Sequence, residues 1–187
     1  MRAVAVALTS LVALAAASPA AAEGFRAEIH AGWDHVSADG PDDDGVAYGI
    51  GLGYDFAIGQ KGFVGLDFSL DDSSMKECET SVLATNDTLC VKAGRDIAAG
   101  IRGGVKVSDA GKLYALAGYT NARIKSRYTT AAGVTTGDGA NLDGFRLGAG
   151  YQHDFAGGVY GKVEYRYSNY EAGLERHQAL LGVGLTF

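Results

Sequence analysis

The chain has 187 residues, which is room for one domain. Its 28 glycines, ten tyrosines and seven phenylalanines, with only two prolines, favour a sheet with tight turns over a helix bundle, because glycine and aromatic residues are poor helix formers. The formal net charge of −6 argues against nucleic acid as a partner, since nucleic acid attracts basic surfaces.

The first 22 residues are predicted to be a cleaved secretory signal peptide. Arg2 gives a positive start, residues 3–17 are almost entirely apolar, and Ala20 and Ala22 form an A-x-A pattern among small residues. An uncleaved membrane anchor is the alternative, but the apolar run is too short and too rich in alanine. The predicted mature domain, residues 23–187, contains no run near the roughly 20 apolar residues of a spanning helix, so strands would have to cross any membrane.

Eight strands are predicted in this domain, because apolar residues alternate with polar or small ones at a period of two. In the first strand Phe25, Ile29 and Trp33 face one way, and Arg26 and Glu28 face the other. The fifth strand is apolar on both sides, and there we favour an outward face of Leu113, Ala115, Ala117 and Tyr119. The predicted strands span approximately residues 25–35, 46–56, 63–71, 91–107, 112–124, 142–155, 159–169 and 176–187.

The predicted connections alternate between short turns and polar loops, which is typical of an up-and-down antiparallel arrangement. The turns cover 57–62, 108–111 and 156–158, and the loops cover 37–45, 72–89, 125–141 and 171–175. All three turns would then lie at one end, as in membrane barrels with short periplasmic turns. An interfacial aromatic girdle is expected at that end, formed by Phe25, Phe56, Phe63, Phe155 and Phe187. One member, Phe63, does not share a face with Val64 and Leu66.

Periodicity alone leaves open which face of the sheet is inside. A soluble sandwich or a lipocalin-like barrel would turn the apolar face inward. The other face, however, carries charges of both signs among many glycines, which suits a narrow packed polar interior. The last strand also alternates apolar residues up to a terminal Phe187, for which a lipocalin has no special need. We therefore predict an all-β fold, an eight-stranded antiparallel up-and-down transmembrane β-barrel.

Several segments resemble small eight-stranded outer-membrane proteins, namely the OmpA-type transmembrane domain, the OmpX-like group and the opacity-type porin-like proteins of alphaproteobacteria. The resemblance spans residues 23–187 and is carried by G-L-G-Y-D-F at 51–56, G-A-G-Y at 148–151, V-E-Y-R-Y-S-N-Y at 163–170 and V-G-L-T-F at 183–187. It implies a monomer in the outer membrane of a Gram-negative cell, with both termini in the periplasm. It also implies that the barrel-assembly machinery reads the last strand as an insertion signal, through Leu181, Val183, Leu185 and Phe187.

The resemblance implies a non-catalytic protein without cofactors that supports the outer membrane and displays surface loops. Its expected partners are outer-membrane lipid and lipopolysaccharide, with host or phage surface ligands as candidates for the loops. Eight strands enclose little more than their own side chains. A narrow solute channel is the alternative, but we expect the interior to be filled by paired charges. These are Arg26, Glu28, Asp67, Asp96, Arg102, Arg146, Asp154, Lys162, Glu164 and Arg166.

A third function is a lipid A-modifying enzyme, since some barrels of this size carry a serine hydrolase arrangement. That chemistry needs a histidine close to a serine and a carboxylate. Ser168, Glu171 and His177 are the only conceivable set, and His177 suits the interfacial band better. We therefore expect no enzyme activity.

The predicted loops carry two further features. Cys78 and Cys90 are too few for a zinc site and belong to an exported chain, so a disulfide is predicted. The acidic loop contains Asp39, Asp42, Asp43 and Asp44. It could bind a divalent cation but lacks the ligand spacing of a calcium loop, so a solvated loop is favoured.

Overall fold

The computed structural model describes residues 24–37 and 42–187, and this part of the chain contains nine β-strands. The predicted signal peptide, residues 1–22, and Asp39 lie outside the described residues. Among those described, no helix is long and apolar enough to cross a membrane. The strands are β1 (Phe25–Ser37), β2 (Asp43–Ile58), β3 (Gly62–Ser73), β4 (Lys76–Thr80), β5 (Thr88–Lys106), β6 (Gly111–Thr129), β7 (Thr135–Asp154), β8 (Val159–Tyr170) and β9 (Glu175–Thr186).

Eight of the strands close into an antiparallel barrel. The order is β3-β2-β1-β9-β8-β7-β6-β5, and β3 then pairs with β5 from Gly62↔Val105 to Asp71↔Asp96 to complete the ring. The remaining strand, β4, pairs only with β5 and extends the wall beyond the ring on one side. The predicted up-and-down eight-stranded barrel is therefore confirmed, with every strand pair antiparallel.

The apolar face of the wall points outward. Ile29 is 62% exposed, Leu52 50%, Leu147 48% and Leu185 43%, whereas Arg146 is 2% exposed. The predicted facing of the fifth strand also holds, since Leu113 and Tyr119 lie on the outside of β6. A soluble protein does not expose so continuous an apolar surface, which excludes the lipocalin-like alternative.

Two of the predicted loops are wrong, because strands run through half of one and most of the other. The segment 72–89 contains β4 and the start of β5, and the segment 125–141 contains the end of β6 and the start of β7. These strand ends extend past the apolar belt, so both of their faces meet water and neither shows the apolar alternation that marks a strand. Threonine at both ends of the β6–β7 connection supports the extended backbone, and Gly133 takes the left-handed conformation in its turn (φ +81°).

Strand β5 changes partner at a bulge. The register with β6 shifts between Ala93 and Asp96, so that Gly94 and Arg95 oppose a single residue. Below this point β5 pairs with β3, and above it with β4. The bulge therefore separates the barrel wall from an outer extension, which we define as β4 together with residues 88–93, 123–129 and 135–141 of β5, β6 and β7.

The predicted aromatic girdle is wrong for Phe63. Its side chain is 3% exposed and lies inside the barrel against Tyr114, with the Arg102 guanidinium 5.2 Å from the ring centroid. The parity of β3 explains this, since the acidic face of that strand points inward. Other members of the predicted girdle are exposed on the outside: Phe25, Phe56 and Phe155.

Candidate functional site

Paired charges fill the interior of the barrel, and we call this set the lumen network. Every one of its carboxylates lies within ion-pair distance of at least one of its bases. The carboxylates are Glu28, Asp34, Asp55, Asp67, Asp71, Asp96, Asp154 and Glu164. The bases are Arg26, His30, Arg102, Lys112, Arg146, Lys162, Arg166 and Arg176.

The layer nearest the short turns is centred on Asp55. Its Oδ1 accepts from Nε of Arg102 at 2.9 Å, and its Oδ2 lies 3.1 Å from Nε of Arg26. Arg26 reaches onward to Asp67, with Nη2 3.0 Å from Oδ2. The guanidinium of Arg102 also lies over the Tyr114 ring, 4.9 Å from its centroid, in the geometry of a cation–π contact.

In the middle layer, Lys162 bridges two glutamates. Its Nζ is 2.5 Å from Oε1 of Glu28 and 3.1 Å from Oε2 of Glu164. Arg166 donates from Nε to Glu164 at 2.5 Å and lies 3.4 Å from Asp71. These carboxylates also contact Tyr160, Tyr114 and His30.

The layer nearest the outer extension is centred on Asp96. Oδ2 of Asp96 accepts from Nη2 of Arg146 at 2.5 Å and from Nη1 of Arg176 at 2.9 Å. Arg176 also donates to Asp34 from both Nε and Nη2 at 2.7 Å, which makes a bidentate pair. The hydroxyl of Ser73 donates to Asp34 at 2.6 Å, which joins β3 to the same layer.

Inward glycines make room for these long side chains. A Cβ on Gly150 would lie 2.5 Å from the Tyr114 hydroxyl, and a Cβ on Gly51 would lie 2.8 Å from Cγ of Glu28. Real Cβ atoms do not approach other heavy atoms so closely, so both positions require glycine. A cavity beside Arg146 and Arg166 holds only about 10 Å³, about the space of one water molecule.

The ten charged residues predicted for the interior all take part in these pairs, but two of them are not fully enclosed. Asp67 is 22% exposed and Asp154 is 32% exposed, with Nζ of Lys112 2.9 Å from the latter. Six members of the network were not among the residues predicted for the interior: His30, Asp34, Asp55, Asp71, Lys112 and Arg176. Five of the six lie on the polar face that alternation assigns to their strands, so that pattern would have found them. The sixth, Lys112, opens the ambiguous fifth strand.

The residues considered for a hydrolase do not come together. Ser168 is buried inside the barrel, where its hydroxyl accepts from Nε of Arg146 at 2.9 Å. His177 lies on the outside of β9, with Nδ1 2.6 Å from the Tyr165 hydroxyl. The barrel wall therefore separates the serine from the histidine. Glu171 is exposed in the β8–β9 connection.

The outer extension contains the predicted disulfide. Cys78 of β4 is bonded to Cys90 of β5, directly opposite each other in register. Asp87, in the turn between these strands, accepts from the amides of Val82, Leu83 and Ala84 and from the Tyr128 hydroxyl. Burial alone would raise the pKa of the Asp87 carboxyl, but these hydrogen bonds outweigh it and hold that pKa below its usual range.

The described part of the acidic loop makes contacts of its own. Oδ1 of Asp44 accepts from Nε1 of Trp33 at 2.9 Å and lies 3.0 Å from Nδ1 of His35. Within residues 24–37 and 42–187, no group of three or more histidine, cysteine, aspartate or glutamate side chains is arranged to hold a metal ion. The predicted insertion-signal residues Leu181, Val183 and Leu185 are exposed on the outside of β9, and Phe187 is half-buried beside it.

The sequence matches the family model described as the outer membrane protein beta-barrel domain over residues 4–187. Among curated proteins, none matches the sequence. Similar solved structures include Ail, the attachment invasion locus protein of Yersinia pestis, in complex with the heparin analogue sucrose octasulfate; it is 17% identical, with a TM-score of 0.59, and the match covers 88% of this chain and 99% of that one.

Two further solved structures share the fold. Neisserial surface protein A is 16% identical with a TM-score of 0.58, and the match covers 88% of this chain and 97% of that one. The N-terminal β-barrel domain of Pseudomonas aeruginosa OprF is 18% identical with a TM-score of 0.54, and the match covers 88% of this chain and 99% of that one. At these identities the likeness shows the fold alone.

Proposed function

Because the chain belongs to the outer membrane protein beta-barrel domain family, we propose that it is a non-catalytic, closed barrel that supports the outer membrane and displays its outer extension at the cell surface. The short turns and both termini lie on the periplasmic side. The observation that carries this proposal is the lumen network, which occupies the barrel from the layer at Asp55 to the layer at Asp96 with charged side chains held in pairs.

The network supports a structural role over a channel. A channel needs mobile water and charged groups that solvent can reach, whereas Arg102, Arg146 and Arg166 are almost completely buried, and each is paired with a carboxylate. Freeing any of these groups would leave a partner charge unpaired in a confined space, which is costly. The inward glycines also favour a closed barrel, because they leave room for the long charged side chains to fill the cross-section of the lumen.

Surface display is supported by the shape of the wall. The β6–β7 hairpin and the β4–β5 hairpin rise beyond the ring on one side, and the disulfide joins β4 to β5 there. Protein surfaces of this kind, on rigid strands with exposed tips, commonly carry recognition. The similar Ail structure has sucrose octasulfate bound, which makes an anionic surface ligand the first class to test for this chain.

The proposal is tested by membrane fractionation, a heat-modifiability gel and conductance in planar bilayers on one preparation of purified protein. We expect outer-membrane fractionation, a faster-running band without boiling and no steady conductance. As a positive control, Phe63→Ala with Arg102→Ala removes two large side chains from the layer at the short-turn end and should raise conductance. A steady, large conductance from the unaltered protein would contradict the closed-barrel proposal.

A further inference from the structure

One face of the outer extension is a continuous basic surface. Lys76 of β4, Lys92 of β5 and Lys125 of β6 lie directly opposite one another across three neighbouring strands. Directly opposite residues share a face, so the three lysines form one row. Arg127 and Arg123 lie on the same face of β6, two residues to either side of Lys125. We call these five residues the cationic face.

This arrangement is electrostatically costly by itself. Like charges directly opposite each other on neighbouring strands destabilise a sheet, and none of the five cations forms an ion pair with a residue in the described ranges. Nε of Arg123 is buried and has no hydrogen-bond partner in the same part of the chain. The acidic residues of β4, Glu77 and Glu79, alternate to the opposite face.

The disulfide holds the repelling strands together. Cys78 and Cys90 occupy the next same-face row, two residues from the Lys76–Lys92 pair, and their bond fixes β4 to β5 there. A structure that keeps five unpaired cations on one face, in a chain of net charge −6, retains them at a cost. An anionic ligand would offset that cost.

A cleft of about 710 Å³ lies over the cationic face and is lined by all five cations. Gly137 and Gly139 of β7 lie in the adjoining register positions, opposite Arg127 and Lys125. The Arg123 guanidinium lies against Gly139, 3.3 Å from where a Cβ would be, whereas the space over Gly137 is open. A Cβ on Gly137 would meet nothing nearer than 3.6 Å. Asp138 also borders the cleft, and its Oδ1 accepts from the amide of Gly139 at 2.7 Å.

The cleft faces sideways, over the membrane, and not into the lumen. Strand β6 is unbroken from Leu113 to Arg127, so its odd-numbered residues share one side, and Leu113 and Tyr119 on that side belong to the exposed apolar belt. With a rise of about 3.4 Å per residue and a strand tilt of roughly 40°, Arg123 lies roughly 10 Å and Lys125 roughly 15 Å above Tyr119 along the barrel axis. Both cations therefore lie above the exposed apolar residues of β6, where we expect the outer-leaflet headgroups to begin.

We propose that the cationic face binds the phosphorylated sugar headgroup of an outer-leaflet glycolipid, whose acyl chains pack against the apolar belt below. The inference rests on the proposed outer placement of the extension. Two observations select a membrane lipid over a soluble polyanion. The cations continue the same outward side of β6 that carries the lipid-facing belt, and the cleft opens toward the region where the headgroups lie.

The test uses the full folded protein in nonionic detergent, titrated with bisphosphorylated lipid A, with its dephosphorylated form and with sucrose octasulfate. We expect the bisphosphorylated lipid to bind and added salt to weaken it. Lys92→Gln with Lys125→Gln should weaken binding about 30-fold, on an estimate of about fivefold per cation at an anionic surface. Lys61→Gln, in the turn at the other end of the barrel, is the matched control and should leave binding unchanged.

Equal binding of the dephosphorylated lipid, or unchanged binding by the double variant, would overturn the inference. Tight binding of sucrose octasulfate without binding of lipid A would also overturn it, because the ligand would then be a soluble polyanion. Each sample is checked for heat modifiability and conductance. A folded, non-conducting protein that ignores the lipid contradicts only this inference, whereas a conducting one contradicts the proposed function.

Discussion

Arg146 of β7 and Asp96 of β5 form a buried ion pair, with Nη2 of the arginine 2.5 Å from Oδ2 of the aspartate. The pair crosses the inner side of β6, which lies between these two strands. Asp96 also accepts from Thr120 of β6, Tyr170 of β8 and Arg176 of β9. A single carboxylate thus joins five strands. Backbone pairing joins only neighbouring strands, so this side-chain centre holds together parts of the wall that have no direct contact.

The first prediction concerns Arg146. Arg146→Ala removes one of the two arginine partners of Asp96 and one partner of Asp71, so the buried carboxylates lose part of their compensating positive charge and the free energy of unfolding should fall by about 3–5 kcal/mol. The measurement is urea unfolding in lipid vesicles, followed by the shift on an unboiled gel. Arg127→Ala, an exposed arginine of the outer extension, is the control and should change stability by less than about 1 kcal/mol. Equal losses of unfolding free energy in the two variants would show that the lumen network does not stabilise the barrel more than an exposed arginine does.

The second prediction tests which surface meets lipid. Leu147 and Leu83 are both exposed leucines, but Leu147 lies in the apolar belt and Leu83 in the β4–β5 turn. Leu147→Arg should destabilise the barrel in vesicles by about 2–4 kcal/mol, because a charge would face hydrocarbon, whereas Leu83→Arg should be close to neutral. The same vesicle unfolding assay decides, and a neutral Leu147→Arg would place the belt outside the membrane.

The third prediction concerns the disulfide. Replacing Cys78 and Cys90 by serine removes a cross-link between residues 12 apart, which is worth about 3 kcal/mol in the chain-entropy model. The lysine repulsion between β4 and β5 then has less to oppose it, so the hairpin should open locally. Trypsin should cut after Lys76 or Lys92 much faster than in the unaltered protein.

The barrel itself should be unaffected by the serine replacements, because none of the pairs of the lumen network involves β4. Its heat modifiability is therefore the internal control. Unchanged trypsin cleavage would mean that strand pairing alone holds the hairpin.

The fourth prediction is a pH dependence of the β4–β5 turn. Because the folded pKa of Asp87 lies below its unfolded value, the carboxylate stabilises the turn at every pH above about 3.9, and this contribution is lost as the pH falls through the folded pKa. Hydrogen exchange at the amides of Val82, Leu83 and Ala84 should accelerate there after correction for the intrinsic pH effect. Asp87→Asn keeps an acceptor without the titration, so its corrected exchange should not depend on pH in this range.

The alternation of apolar and polar residues predicted the fold well, and the reason is physical. Every second side chain of a spanning strand faces lipid and is apolar, so the period-two pattern of β7 and β9 is visible in the sequence. The same rule failed above the belt, where water on both sides of β6 and β7 removes the alternation and a strand reads as a polar loop. Alternation did place Phe63 inside; the girdle prediction was wrong there because it followed the aromatic character of the residue and not its parity.

By itself the sequence predicted the strand count of the ring, the apolar face of every strand but the fifth, the disulfide between Cys78 and Cys90 and the charged character of the interior. Only the tertiary structure decided which charges meet, because Arg146 and Asp96 are 50 residues apart and approach through closure of the ring. The cationic face was hidden for the same reason. Its lysines are scattered along the chain, and strand register, which depends on the whole ring, sets them side by side.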